Sequence, residues 1–251
     1  DSNIRVFRLT SDLFPHFTDM GVPEVQSGEY NLDFAREALQ KAGECAMKFG
    51  QRLSTHPGQY NQIATPREEV WDATVRDLKY HADVMDAMGL GPECVICVHG
   101  GGVYGDIVTT KQRWKERFFQ LPENVKARLA IENCERCYSV VDCLELAETC
   151  KIPLIFDCHH YACYNQIYPQ KTIDIEKYME RVVKTWHSRE AVPLFHISEQ
   201  APNERIGSHS AYVEELPPYY LTFPTQFGDL DIEVEAGAKE QSVLKLRSKY
   251  E

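Results

Sequence analysis

Seven short apolar segments punctuate the chain: Val6–Leu9, Gln51–Thr55, Val95–Val98, Leu129–Glu132, Pro153–Asp157, Leu194–Ile197 and Leu230–Val234. Longer stretches with helical periodicity separate them. Short apolar runs alternating with helices are the pattern of parallel strands joined by crossover helices, so the chain is predicted to be α/β. A single (β/α)8 TIM barrel spanning 1–251 fits the length of 251 residues better than two independent domains do.

The intervening stretches support this. From Asn31 to Gly50, residues Leu32, Ala35, Leu39, Ala42, Ala46 and Phe49 share one helical face, with Asn31 as cap and Gly50 at the exit. A second helix is expected from Thr65-Pro66 to Gly89, with Thr65 and Glu68 as a capping box and Pro66 in the first turn. Further helices are expected over Thr110–Gln120, Ser139–Cys150 and Ile173–Trp186. Residues 201–228, rich in Pro and Tyr, read as a long loop.

Nearly every expected strand ends in a residue able to bind a metal: His56, His99, Glu132, Asp157 with His160 close behind, His196 and Glu235. In a parallel barrel the C-terminal strand ends converge on one face, so residues distant in sequence gather there. A single histidine at a strand end is more often structural, but six consecutive ends are not readily explained that way. Carboxylates buried at strand termini need pairing or coordination, and imidazole with carboxylate suits Mn²⁺, Zn²⁺ or Fe²⁺. The cysteines are weaker candidates. Cys94 and Cys97 lie three apart on a strand and point to opposite faces, and Cys134 with Cys137 lacks two further ligands for a zinc knuckle.

Composition permits this chemistry without dictating it. A net charge of −11 argues against holding DNA by a uniformly basic surface. Divalent cations inside acidic ligands can still make a positive pocket in a negative protein. Nine cysteines are too sparse for a disulfide scaffold and fit reduced thiols. Asp1–Thr10 holds no secretion leader, and no apolar run is long enough for a membrane span, so an intracellular location is expected: nuclear in a eukaryote, cytoplasmic in a prokaryote.

Several motifs, in order along almost the whole chain, resemble those of the UV damage endonuclease family. They are Phe7-Arg8-Leu9-Thr10-Ser11-Asp12-Leu13-Phe14-Pro15, His56-Pro57-Gly58-Gln59-Tyr60, His99-Gly100-Gly101-Gly102, Ile131-Glu132-Asn133, Phe156-Asp157-Cys158-His159-His160, Phe195-His196-Ile197-Ser198, Ser208-His209-Ser210 and Asp231-Ile232-Glu233-Val234-Glu235-Ala236. The resemblance implies a three-metal TIM-barrel endonuclease that incises damaged double-stranded DNA immediately 5′ of a UV photoproduct by metal-activated water, leaving a 3′-hydroxyl and a 5′-phosphate. It implies that Glu132, Asp157, His196 and Glu235 hold one ion, that Glu132 bridges to a second bound by His56 and His99, and that His160 and His209 hold a third. Mn²⁺ is the expected metal, with up to about three ions per chain, and Mg²⁺, Zn²⁺ or Co²⁺ as alternatives. Gln59 and Tyr60 take the family's lesion-probing role, because a Tyr ring can replace stacking beside a damaged pair. The competing reading of Tyr60 packs it under the following helix. Lys111, Arg113, Arg136 and Arg205 are candidate backbone-holding cations, and a monomer is expected. Since every ligand must be deprotonated at its metal-binding atom, incision should fall in acid as histidines protonate; a pH–rate profile flat down to about pH 4 would contradict this.

Departures from the family pattern keep alternatives open. The family's usual P-K-x-H run is Pro193-Leu194-Phe195-His196 here, so Leu194 stands where Lys is expected. Gly237 stands where Lys commonly follows the last Glu-Ala pair. Either His16 or Asp19 is expected to supply a ligand after Phe14-Pro15. Seven strands rather than eight are legible, and the first matches the family's second, so the family's first strand is expected to be truncated, replaced or absent. Competing functions are an apurinic-site endonuclease on the same barrel, a metal-dependent sugar isomerase or epimerase, and a damage-binding protein without catalysis.

Overall fold

The computed structural model describes residues 3–250; Asp1 and Ser2, within the stretch read for a leader, and Glu251, the last residue of the expected domain, lie outside the described residues. The elements in order are β1 (Val6–Leu9), α1 (Pro23–Ser27), α2 (Arg36–Lys48), β2 (Arg52–Thr55), α3 (Glu68–Ala87), β3 (Ile96–His99), α4 (Ile107–Phe118), α5 (Glu123–Arg128), β4 (Leu129–Glu132), α6 (Val140–Cys150), β5 (Leu154–Ile155), α7 (Cys158–Ile167), α8 (Met179–Trp186), β6 (Leu194–Ile197), α9 (Pro218–Phe227), β7 (Asp231–Val234) and α10 (Glu240–Tyr250). All seven expected strands are present, with small shifts at their ends, and the pattern is the expected α/β one. Among the described residues no helix is long and apolar enough to cross a membrane.

The chain divides into two units, Phe7–Ala130 and Asp1–Val6 with Ile131–Glu251. In the first, β1, β2 and β3 neighbour one another in that order, and β2 pairs parallel with β3 through Thr55 and Ile96. Parallel pairing brings the C-terminal ends of β2 and β3 to the same side, which places His56 beside His99. In the second, β4 pairs parallel with β5 (Ile131 with Leu154, Glu132 with Ile155), and β6 pairs parallel with β7 over four residues. A parallel bridge between Asp157 and His196, with the His196 amide donating to the Phe156 carbonyl at 3.0 Å, joins β5 to β6. Four consecutive strands of this unit thus run side by side, and their C-terminal ends carry Glu132, Asp157, His196 and Glu235.

Several helices differ from the sequence reading for identifiable reasons. The stretch after Asn31 opens as a 3₁₀ turn over Leu32–Ala35, capped by the Asn31 side chain accepting from the Asp33 amide, before α2 begins. Of its expected apolar face, Ala35, Leu39 and Ala46 are buried, whereas Ala42 is exposed and Phe49 is 56% exposed. The capping box at Thr65 does not form. The Thr65 hydroxyl accepts from the Arg67 amide, two residues on, and α3 starts only at Glu68 without a side-chain cap. Asp106 caps α4 by accepting from the Thr109 amide, so the helix starts at Ile107, three residues before the expected start at Thr110. The expected Ile173–Trp186 helix is a short 3₁₀ turn over Ile175–Lys177 followed by α8. Ser139 does make its capping box, with Asp142.

The stretch 201–228 is not entirely loop, because α9 occupies its last third and starts with Pro218 in the first turn, where a missing amide donor is tolerated. Tyr220 and Phe223 on α9 pack into an aromatic cluster with Phe156 and Phe195, at ring separations of 5.4–6.2 Å. The Tyr220 hydroxyl lies 2.8 Å from the His196 carbonyl and donates to it. An element read as loop therefore supports the strand that carries His196.

Candidate functional site

Glu132, Asp157 and His196 are each fully buried, with no exposed surface. Their strands place them together. His196 Nδ1 lies 2.9 Å from Glu132 Oε1 and 3.1 Å from Glu235 Oε1. His160 Nδ1 lies 3.6 Å from Glu132 Oε1 and 3.8 Å from Asp157 Oδ2. His209 Nδ1 lies 3.4 Å from Glu235 Oε2. The structure thus gathers six of the expected ligands, Glu132, Asp157, His160, His196, His209 and Glu235, in one unit.

Local structure explains two of these positions. Asp157 lies two residues past the end of β5 and is the N-cap of α7, its Oδ1 accepting from the His160 amide at 2.7 Å. An N-cap and the residue three beyond it lie one turn apart, so capping folds His160 back over Asp157. The Asn133 side chain extends the β4–β5 ladder by one step. Its Oδ1 accepts from the Asp157 amide at 3.0 Å and its Nδ2 donates to the Asp157 carbonyl at 2.9 Å, while the Asn133 carbonyl lies 3.1 Å from His160 Nδ1.

The electrostatics of this cluster call for a cation. Burial pushes the Asp157 carboxyl up from its ordinary value; His160 pulls it down, and Glu132 and Glu235 add to the upward push. Burial disfavours a charged ring at His160, but the Asp157 and Glu132 carboxylates, with Glu235 behind them, outweigh it and push the ring up to about 11. His196 behaves alike: burial opposes its charge, and Glu132, Glu235 and Glu233 carry it to about 9. Asp157 Oδ2 is buried and has no hydrogen-bond partner. An unsatisfied carboxylate oxygen among imidazoles and carboxylates is the donor set of a divalent metal site, and two triads here, Glu132–Asp157–His196 and His196–Glu233–Glu235, have ligand atoms close enough to hold one ion each.

Glu233 was missed in the sequence reading. It is 6% exposed, with an oxygen 3.8 Å from His196 Nε2. Strand alternation carried the signal, because residues two apart on β7 face the same way, so a centre that includes Glu235 also meets Glu233.

In the other unit, His56 and His99 are half-buried neighbours with ring centroids 5.0 Å apart. The loop after His56 is anchored by buried Asn61, Ile63 and Ala64, and it presents Gln59 and Tyr60 outward. Tyr60 is 66% exposed, which removes the reading in which it packs beneath the following helix. Burial, then Asp77 and Asp12, push its hydroxyl up, so it remains protonated at neutral pH. His16 and Asp19 pair with each other on the surface at 3.5 Å, and neither joins a ligand cluster among the described residues. Arg113 donates to the Ala64 carbonyl, Arg136 lies 3.8 Å from Glu135, and Arg205 is exposed. Cys94 and Cys97 are buried and share no ligand cluster with each other; Cys134 Sγ accepts from the Cys137 and Tyr138 amides in an ordinary turn.

The family model described as UV-endonuclease UvdE matches residues 1–251. A relative from Acanthamoeba polyphaga mimivirus is 37% identical over 250 residues, covering 98% of this chain and 74% of the relative. The UV-damage endonuclease of Schizosaccharomyces pombe is 34% identical over 257 residues, covering 99% of this chain; the chain spans only 41% of that protein. The solved structure of SacUVDE superposes with a TM-score of 0.85 at 31% identity, covering 99% of this chain and 80% of that one. Endonuclease IV from Thermus thermophilus has a TM-score of 0.58 at 16% identity, covering 97% and 96%. That last likeness is one of fold alone, and with SacUVDE it places the chain in the TIM-barrel class expected from the strand pattern.

Proposed function

Because the chain belongs to the UvdE family of UV endonucleases, we propose that it is a DNA-repair endonuclease that cuts the backbone of UV-damaged double-stranded DNA immediately 5′ of the lesion. Family membership supports the substrate. The single observation that carries hydrolysis with divalent metals is the fully buried Glu132–Asp157–His196 triad, whose Asp157 Oδ2 has no hydrogen-bond partner. Bound there, divalent metal would supply a water acidic enough to ionise near neutrality and positive charge for the phosphate oxygens.

Within this reading Glu132, Asp157, His196 and Glu235 hold metal, and Glu233 adds a carboxylate at the rim of the same set. His160 lies against the Glu132 and Asp157 carboxylates and His209 against that of Glu235, and His56 with His99 forms a second candidate ligand pair. Mn²⁺ is the metal we expect, because it accepts mixed imidazole and carboxylate ligands. Gln59 and Tyr60 read the lesion: an exposed ring in an anchored loop can enter a stack weakened by a dimer.

Asn133 supports the centre without touching metal. Replacing it by leucine removes both bonds to the Asp157 backbone, and metal affinity is expected to fall about 10–100-fold, as for other partners that orient ligands. Equilibrium dialysis against Mn²⁺ measures this, and unchanged affinity would count against the role.

The function is tested by incision of a labelled duplex carrying one cyclobutane dimer, beside undamaged and abasic duplexes, with Mn²⁺ and with a chelator. The expected product is a single cut 5′ of the dimer, bearing a 3′-hydroxyl and absent with chelator. Faster cutting of the abasic duplex would favour an apurinic-site enzyme, and preferential binding without any cut would leave a damage-binding protein.

A further inference from the structure

Asn61 anchors the lesion-reading loop from below, its Nδ2 donating to the Gly58 carbonyl and to Asp77 Oδ2, and the side chain of Gln62 ties the loop to the segment after His99. Its Nε2 donates to the Gln59 carbonyl at 2.7 Å. Its Oε1 accepts from the Gly102 amide at 2.7 Å and from the Tyr104 hydroxyl at 3.0 Å. The Gln62 backbone is held as well, its amide donating to Thr74 Oγ1 on α3 at 3.0 Å and its carbonyl accepting from the Thr65 amide at 3.0 Å. The orientation of the side-chain amide is determined by this network: turned over, its NH₂ would face the Gly102 N–H and its oxygen would face the Gln59 carbonyl.

The local backbone accommodates the tie. Gly101 adopts a left-handed φ of 90°, and a Cβ there would meet Gln62 Oε1 at 2.7 Å. A Cβ at Gly58 would meet the Tyr60 ring at 2.4 Å, so glycine lets that ring fold over its own loop. Both glycines belong to the motifs that carry the family resemblance, yet in this structure they make room for Gln62 and Tyr60.

We infer that Gln62 is a positioning residue for damage recognition, holding Gln59 and Tyr60 in their reading conformation and fastening that loop to the Gly100–Gly102 loop that follows His99. The inference rests on the lesion-reading role given above to Gln59 and Tyr60. Pre-organisation is the physical gain: a loop already held in its bound shape loses less conformational freedom when it meets the lesion. Gln62 itself has no need to touch DNA.

The experiment is a binding titration in chelator, where no cutting occurs, comparing duplexes with and without one cyclobutane dimer at fixed salt. Gln62→Ala is expected to reduce the preference for the damaged duplex on the order of 10-fold, the scale of losing hydrogen bonds at both ends of one amide. Gln62→Glu keeps the acceptor for Gly102 and Tyr104 but loses the donor to Gln59, and it should lose the preference as well. Because Gln62 acts through the reading pair, the Gln62→Ala/Tyr60→Ala double variant should be no worse than Tyr60→Ala alone. Melting curves of each variant separate misfolding from loss of preference. If Tyr60→Ala abolishes the preference while Gln62→Ala and Gln62→Glu keep it, the role of Gln62 is overturned and the reading role of Tyr60 stands. If Tyr60→Ala and Gln59→Ala both keep the preference, the reading role fails and the inference falls with it.

Discussion

Glu132→Ala is expected to lower incision of a dimer-bearing duplex on the order of 10³-fold or more, because on the proposed function Glu132 would hold a catalytic metal, which controls several kcal/mol of transition-state stabilisation. The geometry makes this the most sensitive position. Glu132 has no exposed surface, and one of its oxygens lies within 4 Å of both His196 and His160. Asp157 cannot take its place without moving a strand, since it is fixed by its capping bond and by Asn133. Glu132→Gln keeps the volume and removes the charge, so it isolates the carboxylate. Incision in Mn²⁺, metal content and thermal melting should be measured for both variants. Loss of incision and of bound metal with melting preserved in Glu132→Gln is the expected result. A Glu132→Gln protein that cuts at the wild-type rate would show that the carboxylate is not needed.

The strand ends are legible in the sequence for a physical reason. Parallel strands put their C-terminal residues on one side, so the order of apolar segments alone picks out His56, His99, Glu132, Asp157, His196 and Glu235 as ends. What was not legible came from competition among local interactions. Thr65 and Glu68 have capping-box spacing, but the Thr65 hydroxyl takes the nearer Arg67 amide and the helix starts later. Pro217 and Pro218 suggested a loop, whereas proline in a first turn is also a helix start, and burial of Tyr220 and Phe223 decides for α9. Asp157 carries two signals at once, as candidate ligand and as helix cap, and the strand pattern makes only the first of them visible. The capping role is what brings His160 to it. Glu233, absent from the expected ligand set, is implied by strand alternation with Glu235, and Phe49 shows the converse, an apolar residue at the right period that stays exposed because its helix ends at Lys48. Leu194, where the family's pattern has Lys, is fully buried on β6, two residues from His196 and on the same face of the strand.

Trp186→Ala is expected to be the most damaging change away from the ligands. Trp186 at the end of α8 is completely buried, and its Nε1 donates to the Leu154 carbonyl at 2.9 Å. Next to it, Thr185 Oγ1 accepts from the Leu154 amide at 2.9 Å, so α8 holds both backbone groups of that residue. This matters because β5 is only two residues long, Leu154–Ile155, and Asp157 follows directly after Phe156. Truncation leaves a cavity the size of an indole and an unpaired carbonyl, a loss of about 3–5 kcal/mol by analogy with other large core deletions. For a chain of this length that is a fall in Tm of roughly 6–20 °C. Trp186→Phe fills most of the volume but cannot donate, so it should recover most of the loss and leave about 1–2 kcal/mol. If Trp186→Ala melts within about 2 °C of wild type, α8 is not what holds β5, and the position of Asp157 must be set by Asn133, the β4 ladder and the bridge to His196.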